Sequence, residues 1–426
     1  MTNSNSSNGV LTIGGADVSA LAKEFGTPLY IMDKGKIKEN MRAYKSAIDD
    51  VYAGNGTVLY ASKAFSAKEI YRIAKTEGLG VDVVSGGELY TALSAGFPAE
   101  RICFHGNNKS VDELLYALRE GVGRIVADSE EELEIIDSLL EKEKHLPHIL
   151  LRVKPGIEAH THDFIQTGQE DSKFGVSLQN GDALRTLTKK YKNFIPEGIH
   201  CHIGSQIFED EPFIRAAELM MQLYADVYKA SSHLMKDMNL GGGFGIRYTD
   251  KDAPRPFYDA MCATIAAVKS AALTLNLPLP HLLVEPGRSI VGEAGSTLYT
   301  VGAVKDIPGI RKYVSVDGGM ADNPRYIMYD AEYDALLPER PDTEKTEIVT
   351  VCGKSCESGD ILIKDIALPP VKRGDLLLVL STGAYNYSMS SNYNRLPRPC
   401  VIMVENGEAY VAVKRETYED IIRNDI

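Results

Sequence analysis

No stretch of this 426-residue chain approaches the ~18 consecutive apolar residues that a membrane-crossing helix requires, so a helical span is excluded. No run of lysine or arginine stands out, and acidic residues outnumber basic ones by 59 to 46, a net charge of −13. Neither a nucleic-acid backbone nor an anionic membrane is an expected partner. Cysteine is sparse: Cys103, Cys201, Cys262, Cys352, Cys356 and Cys400 are scattered along the chain. That pattern suits reduced thiols in a cytoplasm rather than a disulfide framework. The polar opening, residues 1–9, lacks the basic and apolar regions of a secretory signal and reads as a frayed tail. Low-complexity linkers are absent too.

What remains has the composition of a folded protein, 44% hydrophobic and 25% charged. Disorder, collagen and a disulfide miniprotein are thereby excluded. The length corresponds to about three average domains, or to one large α/β domain with a smaller partner.

Short β-rich runs alternate with helical patterns from residue 57 to 287. The candidate strands are 57–61, 80–84, 101–104, 124–127, 149–153, 198–202, 237–240 and 281–284. Apolar residues recur at helical spacing between them, as in Ile70, Ile73 and Ala74, or Val111, Leu114, Leu115 and Leu118. Four intervening helices open on Ser-x-x-Glu: Ser66/Glu69, Ser85/Glu88, Ser110/Glu113 and Ser129/Glu132. In that signature the serine caps an orphan N–H and the glutamate reaches back. Eight βα units in this length predict a (β/α)8 TIM barrel; an open doubly wound sheet would need a switch point that cannot be located. Beyond the barrel the long helical patterns vanish. Candidate strands 313–316, 347–351, 361–363, 375–380, 401–404 and 409–413 predict an all-β second domain. The expected division is 1–33 as a segment joining the β domain, 34–290 as the barrel and 291–426 as the β domain, with 29–32 as the joining strand.

Barrel chemistry sits at the C-terminal ends of the strands. The first strand ends on Ser62-Lys63, the sixth on His200-Cys201-His202, the seventh on Gly241-Gly242-Gly243 and the eighth on Glu285-Pro286-Gly287-Arg288. Taken singly, each admits a plain reading. Lys63 could snorkel at the rim, the glycines could form a tight turn, Glu285 could pair locally with Arg288, and His202 could be a satisfied core histidine. Taken together, on four strand ends, they describe a site. A lysine just past a buried strand is expected to be partly desolvated and able to form an imine. Glycine N–H groups can cradle a phosphate, a carboxylate can hold a pyridine nitrogen protonated, and a flat imidazole can stack on a ring. These are the requirements of pyridoxal phosphate.

The segments Tyr60-Ala61-Ser62-Lys63-Ala64-Phe65, His200-Cys201-His202-Ile203-Gly204-Ser205-Gln206, Gly241-Gly242-Gly243-Phe244-Gly245 and Glu285-Pro286-Gly287-Arg288 resemble those of the barrel-type pyridoxal-phosphate decarboxylases, which share the alanine racemase-like fold. The resemblance runs from about Ala20 to the C-terminus. It implies that Lys63 carries the cofactor, that His202 stacks on its ring and that Glu285 pairs with its nitrogen. It places Asp82 near the cofactor, in Val81-Asp82-Val83-Val84-Ser85-Gly86-Gly87-Glu88. Ser205, Gly242, Gly243, Pro286, Gly287 and Arg288 would lie around the phosphate or the neighbouring substrate site. In the second domain, Asp322-Asn323-Pro324-Arg325-Tyr326-Ile327-Met328-Tyr329, Cys356-Glu357-Ser358-Gly359-Asp360 and Gly383-Ala384-Tyr385-Asn386-Tyr387 are also similar to family segments. There Arg325, Tyr329, Glu357 and Tyr385 would contact substrate or cofactor, and Cys356 would donate a proton. The resemblance further implies a homodimer with its sites at the subunit interface. One departure is Lys354, where the family usually has proline, which leaves the backbone before Cys356 open to differ. His160 and His162 read as an ordinary loop pair, and no metal is expected.

The far end of the substrate separates the members of the family. Ornithine and lysine end in an ammonium and arginine in a guanidinium, whereas meso-diaminopimelate ends in an ammonium and a carboxylate together. Arg288 and Arg325 can receive a carboxylate while Glu357 accepts from an ammonium. The expected reaction is therefore decarboxylation of meso-diaminopimelate to L-lysine. A relative acting on carboxynorspermidine faces the same distal carboxylate and remains open. A cofactor-binding inhibitor protein of the same fold would be expected to lack Lys63, Cys356 or Glu285, and a sugar-phosphate barrel enzyme would not explain the Cys-Glu motif.

Overall fold

The computed structural model describes residues 4–7, 10–157 and 172–426; His160 and His162 lie outside them. The chain packs as two units, one of residues 40–245 and 254–289, the other of residues up to 39, 246–253 and 290–426.

The first unit is a closed ring of eight parallel strands: β1 Gly56–Ala61, β2 Gly80–Val83, β3 Ile102–Phe104, β4 Arg124–Ala127, β5 His148–Lys154, β6 Gly198–His200, β7 Asp237–Asn239 and β8 His281–Val284. The ring closes where β8 pairs with β1, Leu282 opposite Gly56 and Val284 opposite Val58. The TIM barrel read from the alternation of runs is therefore present. Inward side chains Leu59, Cys103, Val126, Leu150 and Leu283 form one buried cluster, filling the barrel rather than lining a pore. A short strand, Val176–Ser177, extends the sheet alongside β5.

The capping signatures hold at three of four places. Ser85, Ser110 and Ser129 accept from the N–H three residues on. Only Ser110 forms the complete reciprocal box with its glutamate. Glu88 and Glu132 reach one residue further back, to the N–H groups of Val84 and Asp128. Ser66 caps nothing. The helix it precedes starts at Lys68 behind Ala67, and the Ser66 hydroxyl meets the Tyr71 hydroxyl at 2.9 Å.

The second unit is a mixed sheet built on a 13-residue strand that the sequence reading passed over, Gly295–Ile307. Its glycines and mixed polar pattern conceal it. It pairs antiparallel with Arg311–Val316, Leu376–Val379 and Leu29–Asp33. Leu29–Asp33 is buried throughout and also pairs in parallel with Cys400–Glu405. Leu29, Ile31, Leu298, Leu378, Ile402 and Val404 form its core. Within the expected frayed tail, Ser4–Ser7 pairs antiparallel with Val10–Ile13, and the Gly14-Gly15 turn folds Ala16–Asp17 back on that same strand. Among the described residues no helix is long and apolar enough to cross a membrane.

Candidate active site

The strand ends of the barrel converge on Glu285, the residue after β8, which is only 8% exposed. Its Oε1 receives His105 Nε2 at 2.6 Å and Asn239 Nδ2 at 2.6 Å, and its Oε2 receives His200 Nε2 at 3.2 Å. Arg288, for which a local pairing with Glu285 is the plain reading, donates to Ser205 Oγ, from Nη2 at 2.8 Å and Nε at 3.2 Å. Burial alone would raise the Glu285 pKa, but His105 and His200 hold it well below the usual carboxylate range. The two histidines differ. Burial lowers the His200 pKa to about 4, so it is a neutral donor whose buried Nδ1 has no partner among the described residues. Burial also opposes charge on His105, but the carboxylates of Glu285 and Asp82 outweigh it and hold that imidazole well above its ordinary pKa. Asp82, in the middle of β2, is pushed up to about 6, chiefly by burial and against the attraction of His105. Its Oδ1 has no partner among the described residues either.

The glycine triplet after β7 has separate tasks. Gly241, at φ +68, donates its N–H to Asn239 Oδ1 at 2.9 Å. Gly242 donates to His202 Nδ1 at 3.2 Å, so the expected phosphate donor is already used in orienting the imidazole. Because Nδ1 accepts, the His202 proton sits on Nε2. Removal from water, with Lys63 and Arg152 nearby, holds that ring well below its usual pKa and neutral. The Gly243 N–H has no partner among the described residues, and Gly243 takes φ +117, which few other residues adopt. A Cβ on Gly242 would stand 2.2 Å from the Glu285 carbonyl oxygen, and one on Gly243 would stand 2.5 Å from the Gly204 oxygen. Gly242→Ala is therefore expected to cost about 1–3 kcal/mol by overpacking. A lowered denaturation midpoint together with weakened cofactor binding would register it.

Lys63 lies on the single 3-10 turn Ser62–Ala64 that ends β1. The expected burial is not found: Ser62, Ala64 and Phe65 are buried, but the Lys63 side chain is exposed. Its charge still acts on Asp82 and His202. The Ala61 N–H donates to the Pro286 carbonyl oxygen, and a Cβ on Gly287 would stand 2.8 Å from Ala61 Cβ, so the Glu-Pro-Gly-Arg segment is seated against the end of β1. The barrel thus gathers Lys63, Asp82, His202, Ser205, Gly242, Gly243 and residues 285–288. These residues fit pyridoxal phosphate on three counts. The glycine cradle admits no side chain, Glu285 presents a fixed negative charge, and Asp82 Oδ1 and His200 Nδ1 are buried acceptors without donors among the described residues.

In the second unit the helix Arg325–Tyr329 carries a guanidinium that is 6% exposed. Arg325 Nη1 donates to the hydroxyls of Tyr248 at 3.0 Å and Tyr333 at 2.9 Å. The rings of Tyr248, Tyr329, Tyr333 and Tyr385 lie 5.2–6.0 Å from its carbon. Although burial opposes the charge, Tyr248, Tyr333 and Tyr385 hold the Arg325 pKa above its ordinary value. No carboxylate pairs with Arg325 among the described residues. Cys356 and Glu357 stand exposed on a loop that Asp360 anchors, accepting from Met320 N at 2.7 Å and Ser355 N at 2.8 Å. The Lys354 N–H donates to Gly318 O at 3.0 Å, a bond that proline could not make.

The sequence reading missed His105, Asn239 and Arg152 in the barrel, and Tyr248 and Tyr333 around Arg325. His105 directly follows β3, so a search of every strand end, not of four, would have found it. No local signal marks the tyrosines, which reach Arg325 only through the fold.

Residues 34–292 match the family model of the pyridoxal-dependent decarboxylase, pyridoxal binding domain. The chain is 50% identical over 428 residues to the diaminopimelate decarboxylase of Bacillus subtilis, covering all of this chain and 97% of the relative. To that of Bacillus methanolicus it is 50% identical over 410 residues, covering 96% and 95%. Among solved structures, the M. jannaschii diaminopimelate decarboxylase in complex with L-lysine superposes with a TM-score of 0.91 at 33% identity, covering 100% of this chain and 98% of that one. The chain belongs to the diaminopimelate decarboxylases of the pyridoxal-dependent decarboxylase family.

Proposed function

We propose that the chain converts meso-diaminopimelate to L-lysine and CO2, with pyridoxal phosphate as cofactor. When bound, the cofactor supplies an electron sink for the carbon that loses CO2. The chain supplies the rest. The Lys63 amine anchors the cofactor, and Glu285 keeps a negative charge beside its ring nitrogen. His202, neutral and oriented by Gly242, offers a flat face. Ser205, Gly243 and Arg288 supply donors for the phosphate. Gly242, Pro286 and Gly287 shape the floor, and Asp82 flanks it. Arg325, with Tyr329 and Tyr385, receives the distal carboxylate, and Glu357 accepts from the distal ammonium. Cys356 delivers a proton from Sγ to the carbon that lost CO2.

The observation that carries the choice of substrate is Arg325, a cation more than nine-tenths buried with tyrosines and no acid for company. Such a charge is costly to hold without an anion, so an anionic ligand accounts for it. Ornithine and lysine have no distal anion to offer. CO2 release should therefore be rapid with meso-diaminopimelate and negligible with ornithine, arginine and lysine; no turnover of the first refutes the reading. Arg325→Ala should raise KM for meso-diaminopimelate by roughly a hundredfold, from loss of a buried charge pair of about 2–5 kcal/mol. An unchanged KM would remove Arg325 from the substrate site.

We further infer a cytoplasmic homodimer. All six cysteines are free, which suits a reducing compartment. Ile327 and Met328, on the same helix as Arg325, are 42% and 47% exposed, which suits a subunit interface there.

A further inference from the structure

The pocket floor holds more ionisable groups than the reaction assigned above requires. His105 stands between two buried carboxylates, with Glu285 at 2.6 Å and Asp82 acting on it from β2. Its ring meets His200 edge-on, centroids 4.8 Å apart, and its Nε2 lies 3.3 Å from Cys103 Sγ. Arg152, from β5, adds positive charge to the same pocket and acts on both carboxylates. The groups acting on His105 and on its two carboxylates are Asp82, Cys103, Arg152, His200 and Glu285, with Lys63 acting on Asp82.

This count sets a limit. In the cofactor-free chain one imidazolium balances the Glu285 carboxylate. A protonated pyridine nitrogen is a second cation that needs the same carboxylate. Arg152 and the His105 imidazolium already answer the two buried carboxylates, Asp82 and Glu285, so a protonated ring nitrogen is a third cation facing two anions, and one is left without a counter-charge. The group that can discharge without leaving the site is the imidazole, by losing one proton to solvent.

We propose that His105 is a positioning residue for cofactor binding: it holds Glu285 in place as an imidazolium while the site is empty, and yields one proton to solvent when the cationic ring arrives. This rests on the cofactor reading above. The charge balances, since one cation enters the pocket and one proton leaves it. His105 also differs from a structural histidine in that its partner is the carboxylate assigned to the ring, not a backbone group.

The test compares the full-length wild type with His105→Gln, whose amide can still donate to Glu285 but carries no charge. Pyridoxal phosphate is titrated into cofactor-stripped protein by absorbance between pH 6 and 8, and the proton count is read by calorimetry in buffers of different ionisation heat. Proton changes at Lys63 and on the phosphate are common to both proteins and cancel in the comparison. Wild-type binding should tighten about tenfold more per pH unit than the variant's, with about one more proton released per cofactor. Equal slopes and equal proton counts would overturn the proposal. Should the variant not fold, histidine-labelled wild type gives the answer by NMR: the His105 ring should be cationic before loading and neutral after it, and a ring neutral before loading overturns the proposal. Turnover of meso-diaminopimelate is scored separately, so failure of the assigned reaction and failure of this proton exchange give different results.

Discussion

Lys63→Ala should leave a folded chain that retains no covalently held cofactor after borohydride treatment, with turnover lowered by at least about a thousandfold, or ~4 kcal/mol on the barrier. The fold should survive because the Lys63 side chain is exposed, while the turn beneath it is fixed by buried Ser62, Ala64 and Phe65. Removing the amine therefore leaves no cavity and no unpaired buried charge. Mass spectrometry after reduction decides the matter: the wild type should gain the cofactor's mass on the peptide containing Lys63. Cofactor trapped on the variant would place the anchoring amine elsewhere.

Glu285→Gln should be the second most damaging change, and its signature should be pH-dependent as well as catalytic. Glutamine keeps the shape, but its one carbonyl oxygen can accept from Asn239 or from His200, not from both, and it removes the negative charge that His105 faces at 2.6 Å. Loss of one preorganised charge at a reacting centre typically costs about 10²–10³ in kcat. Stability follows from the directions of the shifts. The depressed Glu285 pKa contributes stability that is present above its unfolded value, ~4.3, and lost as pH falls through the folded one. The raised His105 pKa contributes stability that is present below ~6.5 and lost as pH rises through its folded value. The wild type's advantage over the variant should therefore be greatest between about pH 4.5 and 6.5 and shrink on the alkaline side. Denaturant midpoints at pH 5.5 and pH 9 would check this. An equal gap at both values would mean that the pair is not charged as described.

Most of the barrel was legible because its strands are short apolar runs bounded by caps and glycines, and parallel strands buried on both faces leave that trace. The strand-end motifs were legible for the same reason, since the end of each run shows where its last side chain stands. Three things were not legible. Gly295–Ile307 carries glycines and polar residues that its many strand neighbours compensate, so no run announces it. The exposure of Lys63 depends on the direction of one turn. The bond of the Gly242 N–H to His202 is hidden too, because a sequence shows that an N–H exists but not that an imidazole nitrogen occupies it.

The hydrogen bonding of β8 to β1 has a consequence for how the site comes into being. Lys63 and Glu285 follow the first and last strands of the ring, yet Ala61 N and Pro286 O are joined at 3.2 Å. Nearly all of the barrel's sequence must therefore be translated and folded before its two ends can meet. A nascent chain has no partial cofactor pocket to offer. Loading acts as a certificate of completion, and by mass action it favours the closed ring over any species in which the last strand has not yet docked.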